Sequence, residues 1–224
     1  MVSSSELLIT VLPGDGIGPE VMTPCLQILE KLERQVGGFS LRFEHHEAGA
    51  GLFQRTGTAI SDETLKRAEA ADAVLFGAMG LPDVRYPDGR EIQPQLDLRE
   101  AFDLFAGVRP VKTYPGLRLP LADNRAQQID FVLVRESTEG LFSSRNDENH
   151  REGAAEDTLL VTREASRRVF QFAFDLARHR KEKGHPGKVT LVDKANVLGS
   201  MAYFRKLFVE LASENTDLQT DCSY

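Results

Sequence analysis

Apolar residues recur along the chain with two different spacings, and these spacings predict its strands and helices. The run LLITVL is continuously apolar, which predicts a buried strand, whereas residues 20–36 place apolar side chains at helical spacing. Gly37 and Gly38 follow that segment, where a helix is expected to end. The predicted elements of this first part are a strand at 7–12, a helix at 20–36, a strand at 39–47, a helix at 61–70 and a strand at 72–78. Strands that alternate with helices indicate an α/β fold with a mainly parallel sheet.

A loop rich in glycine and proline follows the last of these strands, from Ala78 to Pro94. Ligands of open α/β sheets bind outside the carboxyl ends of the strands. The loop is therefore a candidate binding loop.

The composition changes near Gly107, and the chain beyond it predicts a second set of elements. They are strands at 107–114 and 129–137, a hairpin tip at 143–158, a helix capped by Thr162, a strand at 188–193 and a helix at 197–213. Residues 216–224 begin a further strand and then stop. Such an ending fits either part of a larger fold or an edge strand at a natural terminus. The sequence predicts two domains, residues 1–105 and residues 106–224.

Composition and charge narrow the class of protein. The chain has 224 residues, of which 41% are apolar and 27% charged, an ordinary balance for a water-soluble domain. Its net charge of -7 argues against a general surface for nucleic acid or anionic membranes. Cys25 and Cys222 are its two cysteines, which suggests neither a disulfide framework nor a zinc site. No run approaches the roughly 20 apolar residues of a membrane span. We expect a cytoplasmic protein without nucleic-acid or membrane partners.

The stretch PGDGIGPE follows the first predicted strand and resembles a phosphate-binding loop only in part. Gly14 and Gly16 match the first two glycines of the dinucleotide fingerprint, but Pro19 stands at the position of the third. Asp15 and Glu20 also place carboxylates where a pyrophosphate would need backbone amides. The stretch is therefore expected to form a tight turn from strand to helix, with Pro19 in the first helical turn.

Three arginines are candidates for binding carboxylates: Arg99 in LDLRE, Arg109 in GVRPV and Arg135 in LVREST. Arg109 and Arg135 interrupt apolar strands near their ends, where a buried guanidinium needs an anion. The planar guanidinium binds a carboxylate through two parallel hydrogen bonds, so carboxylate binding is a natural use. The alternative is structural pairing with nearby glutamates, namely Glu100, Glu136 or Glu139.

A lysine and an asparagine follow the predicted strand at 188–193, in VDKANVLGS. Lys194 could be desolvated at the end of the strand, which would lower its pKa towards that of a general base. Asn196 precedes the next helix. Asp193 could serve equally as a cap or as an ion-pair partner, and most lysines only make a surface soluble.

Four segments together resemble the β-decarboxylating dehydrogenases, the family of isopropylmalate, isocitrate, homoisocitrate, tartrate and D-malate dehydrogenases. They are LPGDGIGPEV, LRE followed by LFAGVRPV, VRESTEG and VDKANVL, which occur in the family's order and span essentially the whole chain. The resemblance implies an isopropylmalate dehydrogenase-like two-domain α/β fold, incomplete at the C-terminus, of which this chain is about the first three-fifths. It also implies an oxidoreductase that oxidises a malate-type 2-hydroxy acid with NAD or NADP and then releases carbon dioxide.

The resemblance implies a role for particular residues. Lys194 would be the base, acting in the site of a neighbouring subunit, and Asn196 would contact substrate and nicotinamide. The residues implied to bind substrate are Arg99, Arg109, Arg135 and Asn196, with Gln93 and Gln95 beside them. Those implied to contact the cofactor are Ile17, Ala78, Met79, Ile92 and Asn196. Residues 142–160 would form an arm exchanged between the two subunits of a homodimer.

Two departures from the family pattern affect the expected chemistry. The family binds Mg or Mn through aspartates that would come after Tyr224, so we expect no metal site within this chain. Phe142 stands where the family has a tyrosine that protonates the enol carbon. The features that separate NAD from NADP would also lie beyond Tyr224.

The substrate remains open within the class. Ile92 and Leu96 are apolar, but Gln93 and Gln95 lie beside them, and this mixed polarity favours tartrate, D-malate or a tricarboxylic acid over isopropylmalate. The alternative function is a non-catalytic dimerising subunit or relic that keeps the carboxylate pocket and lacks the metal site.

Overall fold

A computed structural model describes residues 5–145, 150–151 and 153–224 of the chain. The chain divides into two compact units, Met1–Phe102 and Asp103–Tyr224. The sequence placed a domain boundary three residues later than this division.

The first unit contains a three-stranded parallel sheet and four helices. Its elements are β1 (Ser5–Gly14), α1 (Gly18–Val36), β2 (Phe39–His45), α2 (Ala50–Thr56), α3 (Asp62–Glu69), β3 (Ala73–Ala78) and α4 (Pro94–Ala101). The strand order is β2-β1-β3, so β1 is central and pairs in parallel with both neighbours. This central position explains the continuous apolar run of β1, in which Val11 and Leu12 are completely buried.

Local signals in the sequence set the helix boundaries of this unit. The Ser61 side chain accepts a hydrogen bond from the amide of Thr64 and caps α3. Pro19 lies in the first turn of α1, and Gly37 ends that helix with a positive φ of 67°. The two short helices α2 and α4 were not predicted from the sequence.

The second unit contains two-stranded sheets and two long helices, and α5 packs on β5 and β8. Its elements are β4 (Ala106–Lys112), β5 (Asp130–Glu136), β6 (His150–Arg151), β7 (Ala154–Ala155), α5 (Arg163–Glu182), β8 (Lys188–Val192), α6 (Gly199–Glu214) and β9 (Gln219–Ser223). β4 pairs antiparallel with β5, β6 antiparallel with β7, and β8 parallel with β9. The β6–β7 pair lies in the segment predicted to be a hairpin tip, of which residues 146–149 and 152 lie outside the described residues.

Helix α5 forms the centre of the second unit because one of its faces is apolar. Phe174 is completely buried and stacks on Phe208 of α6 with ring centroids 5.6 Å apart. Thr162 caps the helix by accepting a hydrogen bond from the amide of Ala165, as the sequence predicts. Strand β8 adds Leu191 to this core.

No helix among the residues that the structure describes is both long enough and apolar enough to cross a membrane.

Candidate functional site

The turn between β1 and α1 carries a buried carboxylate, Asp15, which three backbone amides hold. Its Oδ2 accepts hydrogen bonds from the amides of Ala50 (2.6 Å) and Gly80 (2.9 Å), and its Oδ1 accepts one from Gly51 (2.8 Å). These amides belong to the start of α2 and to the loop after β3. Amides in such places are the donors that a phosphate would use. The turn fails as a phosphate loop because its own carboxylate already occupies them.

Two glycines allow the turn and the end of β3 to come into close contact. A Cβ atom on Gly77 would lie 2.0 Å from the carbonyl oxygen of Pro13, and one on Gly14 would lie 2.0 Å from that of Ala78. The Sδ atom of Met79 would be only 2.8 Å from the same Cβ of Gly14. Ala78 and Met79, both predicted to contact the cofactor, are therefore fixed against the glycine turn.

Two further predicted cofactor contacts, Ile17 and Ile92, differ in their exposure. Ile17 is 59% exposed and projects from the β1–α1 turn, where a ligand can reach it. Ile92 is only 1% exposed and packs with Ala50, Ala59 and Val84 in the core. The structure gives the Ile92 side chain no exposed surface to offer to a ligand.

Helix α4 carries three of the predicted substrate-binding residues. Gln93 precedes the helix, and its Nε2 donates to Oε2 of Glu91 at 3.2 Å. Gln95 and Arg99 are four residues apart on the helix and so lie on the same face. The side-chain oxygen of Gln95 is buried and has no hydrogen-bond partner among the described residues. A buried acceptor without a partner is costly. A ligand that donates a hydrogen bond would remove that cost only after the Gln95 side chain changes rotamer, because the oxygen has almost no exposed surface.

Arg109 and Arg135 lie on the same face of the β4–β5 pair. Arg109 is directly opposite Leu133, and Arg135 is two residues further along β5, so the two arginines are diagonal neighbours. Arg135 is half-buried, whereas Arg109 is exposed. The expectation that Arg109 is buried is therefore wrong, because the face of the sheet that carries it is open.

The turn after β5 places an aromatic ring beside Arg135. The guanidinium carbon of Arg135 lies 5.5 Å from the centre of the Phe142 ring, within the range of a cation–π contact. Glu136 accepts hydrogen bonds from the amides of Thr138 and Glu139, and Glu139 in turn accepts one from the amide of Thr162 at 2.8 Å. Both glutamates thus help to fix the backbone of the turn.

The segment after β8 presents Lys194 and Asn196 on a short turn. Oδ1 of Asp193 accepts a hydrogen bond from the amide of Ala195 at 2.7 Å, and the carbonyl of Lys194 accepts one from the amide of Val197. Both Lys194 and Asn196 are exposed, so the lysine is not desolvated in the single chain.

A salt bridge to α6 fixes Asp193. Arg205 donates from Nε and Nη2 to the two carboxylate oxygens of Asp193, each at 2.8 Å. Hydrogen bonds with Asp193 and then with Tyr224 raise the pKa of Arg205. Asp193 is therefore an ion-pair partner that also closes the turn through Ala195, and it is not a helix cap, since α6 begins after Leu198.

Comparison with known proteins identifies the family of the chain. The family model for isocitrate/isopropylmalate dehydrogenase matches residues 8–224. The chain belongs to this family.

Relatives of the isocitrate/isopropylmalate dehydrogenase family cover nearly all of the chain. The 3-isopropylmalate/3-methylmalate dehydrogenase of Methanocaldococcus jannaschii is 40% identical over 219 residues, which are 96% of this chain and 60% of that protein. A 3-isopropylmalate dehydrogenase of Staphylococcus aureus is 38% identical and matches 91% of this chain and 57% of its own length. The chain thus spans 57–60% of the length of these relatives.

Solved structures of the family support the same fold. The isocitrate dehydrogenase of Methylococcus capsulatus superposes with a TM-score of 0.79 at 30% identity and covers 97% of this chain and 60% of that one. The β-decarboxylating dehydrogenase of Thermococcus kodakarensis gives 0.68 at 31% identity, with coverage of 97% and 57%. The isopropylmalate dehydrogenase-like α/β fold is confirmed, with only part of each neighbour matched.

The acidic residues near the end of the chain are engaged in ion pairs and turns. Lys188 lies 2.6 Å from Asp221 and lowers the pKa of its carboxyl. Within residues 5–145, 150–151 and 153–224, no group of three His, Cys, Asp or Glu side chains is placed to hold a metal ion. The described residues therefore do not fit a metal site of their own.

Sequence reasoning missed Asp15 and Arg205 as organising residues of the site. The only local signal for Asp15 is its position between two glycines, and this signal is weak because the amides that it binds belong to distant segments of the chain. Arg205 follows Asp193 by 12 residues and joins it across a strand end and a helix, a relationship that no local spacing predicts.

Proposed function

We propose that the protein provides the substrate-binding part of a dehydrogenase that oxidises a C3-substituted malate-type 2-hydroxy acid with NAD or NADP and then decarboxylates it. Membership of the family supports the general reaction class. The single observation that carries the proposal is the way Asp193 and Arg205 hold Lys194 at the end of β8.

Lys194 is proposed as the general base. It would accept the proton of the C2 hydroxyl while hydride leaves the same carbon. Its position on a fixed turn supports this role, because a base must stay within hydrogen-bond reach of the proton that it removes. Its exposure is compatible with use in the site of a second subunit, and we propose a homodimer joined by an arm at residues 142–160.

In the second unit, Arg109 and Arg135 are proposed to bind the substrate carboxylates on their common sheet face, and Asn196 is proposed to bind substrate. In the first unit, Arg99 is proposed to bind substrate. Two guanidinium groups placed diagonally can each bind one carboxylate through paired hydrogen bonds. Replacing Arg109 by Lys should weaken binding, because an ammonium group cannot reproduce the planar fork.

In the first unit, Ile17, Ala78 and Met79 are proposed to contact the nicotinamide part of NAD or NADP, and in the second unit Asn196 is proposed to contact it as well. Ile17, Ala78 and Met79 are apolar and can contact a flat ring. Gly14 and Gly77 have no Cβ atom, which allows the β1–α1 turn to lie against the end of β3 that carries Ala78. When bound, the cofactor supplies the hydride acceptor. The residues of this chain bind and orient it.

The Gln95 side chain supports a polar substituent on the substrate. Its buried oxygen is on the α4 face that carries Arg99, and it lacks a hydrogen-bond donor among the described residues. Once the Gln95 side chain turns towards the substrate, a hydroxyl on the substituent could supply that donor, whereas an isopropyl group could not. We therefore propose that Gln95→Leu shifts the preference of the enzyme towards an isopropyl-bearing substrate, by about 10-fold or more.

Mg or Mn would have to be bound by residues other than those described, so we derive no step through a metal. The exposure of Lys194 is also compatible with a second candidate, a non-catalytic dimerising subunit or relic that keeps the carboxylate-binding arginines.

The test uses a chimaera in which residues 1–224 replace the matched part of the Methanocaldococcus jannaschii relative. We expect reduced nicotinamide to form with at least one acid among isopropylmalate, tartrate, D-malate and isocitrate. Lys194→Ala should lower kcat by at least about 100-fold, and Lys206→Ala on the exposed side of α6 should leave it unchanged. A folded chimaera that turns over none of the four acids would support the non-catalytic subunit instead.

A further inference from the structure

Arg168 on α5 joins three segments of the second unit. Its guanidinium donates hydrogen bonds to both carboxylate oxygens of Asp103, the bond from Nη2 to Oδ1 being 2.8 Å long. Nη2 also donates to Oγ1 of Thr138 at 2.9 Å, in the turn that follows β5. The guanidinium carbon lies 4.7 Å from the centre of the Phe105 ring, within the range of a cation–π contact. One side chain therefore holds the beginning of the unit, the residue before β4 and the turn after β5.

The contact with Thr138 continues to the carboxylate that follows Arg135 in the chain. The Thr138 hydroxyl donates its proton to Oε1 of Glu136 at 2.5 Å, so its oxygen accepts the hydrogen bond from Arg168. The amides of Thr138 and Glu139 donate to the same carboxylate. Arg168 is thus connected to Glu136 by a chain of two hydrogen bonds through one hydroxyl.

Glu139 is a second carboxylate of this turn. It accepts hydrogen bonds from the amide and the hydroxyl of Thr162, at 2.8 and 2.5 Å. Amides and hydroxyls bind a carboxylate but do not cancel its charge. Glu136 and Glu139 therefore place two negative charges within four residues of Arg135. Such charges oppose the binding of another carboxylate nearby, because repulsion is screened only over about 8 Å at physiological ionic strength.

Arg168 brings a positive charge to the same turn. Its hydrogen bonds with Asp103 are the main cause of its raised pKa, and the charges of Glu136 and Glu139 raise that pKa further. Arg168 also fixes the backbone of the turn through Thr138. The backbone of Arg135 is held from this turn, since its carbonyl accepts a hydrogen bond from the Ser137 hydroxyl at 3.2 Å. Arg168 can thus act on the surroundings of Arg135 through both charge and backbone.

We propose that Arg168 is a positioning residue for the binding of a substrate carboxylate at Arg135. It holds the turn after β5 through Thr138 and offsets the negative charges of Glu136 and Glu139. It acts through these groups and not by contact with the substrate. The inference rests on the carboxylate-binding role of Arg135 in the proposed function, and it does not require the reaction itself.

Titration calorimetry tests the proposal by measuring the Kd of isopropylmalate, tartrate, D-malate and isocitrate for the chimaera and its variants. Arg168→Gln should raise the Kd of each acid that the chimaera binds by about 5-fold or more, because the two glutamates lose the nearby positive charge. Arg168→Lys keeps that charge but not the paired hydrogen bonds, so it should recover part of the affinity.

Arg167→Gln is the matched control. It removes the same charge from α5, but Arg167 pairs with Glu214 of α6 at 3.4 Å and does not contact the turn. Its Kd values should stay within about 2-fold of those of the unchanged chimaera. An unchanged Kd in a folded Arg168→Gln protein would overturn the proposal, and so would an equal rise in Arg167→Gln.

Asp103→Asn separates the charge of Arg168 from its structural contact. Asp103 has a positive φ of 48°, a conformation that asparagine tolerates, so the backbone can be kept. The variant breaks the salt bridge but leaves Arg168 charged, and the Kd should therefore stay the same or fall. A rise as large as that in Arg168→Gln would show that the salt bridge only supports the fold, and would contradict the proposal.

The number of binding sites in the titration distinguishes weaker binding from loss of folded protein. Unfolding lowers that number, whereas the proposed effect raises Kd at an unchanged number of sites. If circular dichroism shows that Arg168→Gln is unfolded, Thr138→Val decides, because it breaks the connection to Glu136 and keeps Arg168 and Asp103. We expect a rise in Kd of about 3-fold for it, and an unchanged Kd would overturn the proposal.

The outcomes also separate this inference from the proposed reaction. A chimaera that shows these differences in Kd but forms no reduced nicotinamide would contradict the reaction alone. One that turns over an acid, with the same Kd in Arg168→Gln, would contradict this inference alone. Binding of none of the four acids would overturn both.

Discussion

Arg205 donates hydrogen bonds to both carboxylate oxygens of Asp193, each at 2.8 Å. Asp193 immediately precedes the proposed base, Lys194. The side chain of Asp193 is completely buried and that of Arg205 is mostly so. Arg205 also lies 4.4 Å from the centre of the Tyr224 ring. One arginine therefore connects the end of β8 with the end of the chain and with α6.

Removing this arginine should destabilise the second unit. Arg205→Met leaves the Asp193 carboxylate buried without its charged partner, a strongly unfavourable state. Arg205→Lys keeps the charge but not the paired hydrogen bonds, so its loss should be smaller. We expect thermal unfolding temperatures in the order wild type, Arg205→Lys, Arg205→Met, with Lys206→Met close to wild type. Equal temperatures for Arg205→Met and Lys206→Met would show that the salt bridge contributes nothing.

Asp15→Asn should destabilise the first unit by about 1–3 kcal/mol. An amide has only one oxygen, so at least one of the three backbone donors would face its NH₂ group instead of an acceptor. Urea unfolding at neutral pH measures the change, and Asp83→Asn, an exposed residue of the loop after β3, is the matched control. A loss below about 0.5 kcal/mol would mean that water replaces the carboxylate without cost.

Gly77→Ala should prevent the normal contact between the end of β3 and the glycine turn. The new methyl group would lie 2.0 Å from the carbonyl oxygen of Pro13, and a backbone atom cannot move away easily. Gly199→Ala meets nothing within 4 Å and should be neutral or stabilising by about 0.4–1 kcal/mol. Chemical unfolding of both variants tests the contrast. A Gly77→Ala protein as stable as Gly199→Ala would contradict the close packing.

The Asp130–Arg180 ion pair should give the second unit a specific dependence on pH. Its hydrogen bond with Arg180 lowers the pKa of Asp130 below the ordinary value of about 4. A lowered pKa in the folded state stabilises the protein above the ordinary value, and this contribution is lost as pH falls through the folded pKa. Arg180→Gln should therefore be less stable than wild type at neutral pH, and the difference should shrink below about pH 4. Unfolding curves between pH 2 and 7 measure it, and a difference independent of pH would contradict the linkage.

Phe142→Tyr should increase the rate at which the final carbonyl product forms after carbon dioxide release in the active chimaera. A phenol can donate the proton that completes the final carbonyl product, whereas a phenyl ring cannot, and positioned acids contribute about 100-fold or more. Phe142→Leu serves as the control, because it lacks the hydroxyl and also the ring beside Arg135. The measurement is reduced cofactor, carbon dioxide and the rate of formation of the final keto product in the same reaction. Equal yields of reduced cofactor and carbon dioxide with a fast final step, unchanged in Phe142→Tyr, would show that another group already protonates the product.

The strongly periodic elements were predictable from the sequence, and the short ones were not. β1 and α1 are long elements of 10 and 19 residues, so the spacing of their apolar residues is visible in the sequence. α2 has seven residues, and two amides of its first turn are held by Asp15, which is 35 residues away in the chain. Such a helix depends on a tertiary contact, so no local pattern reveals it.

The site was predictable by residue type but not by environment. The arginines and Lys194 stand where strands end, and their chemistry suggests carboxylate binding and proton transfer. Whether a side chain is buried depends on which other parts of the protein pack against the face of the strand or helix that carries it. Arg109 is exposed because nothing described covers that side of the β4–β5 pair, and Ile92 is buried because α2 and the loop beyond β3 enclose it.

The Asp15 carboxylate also frees the first turn from dependence on dissolved anions. A turn with open amides would be stabilised by phosphate or sulfate through mass action and would weaken when these ions are scarce. Asp15 is covalently attached, so its presence at these amides does not vary with the buffer. The first unit should therefore keep its turn equally well formed in phosphate-rich and phosphate-free solution, before any nucleotide is bound.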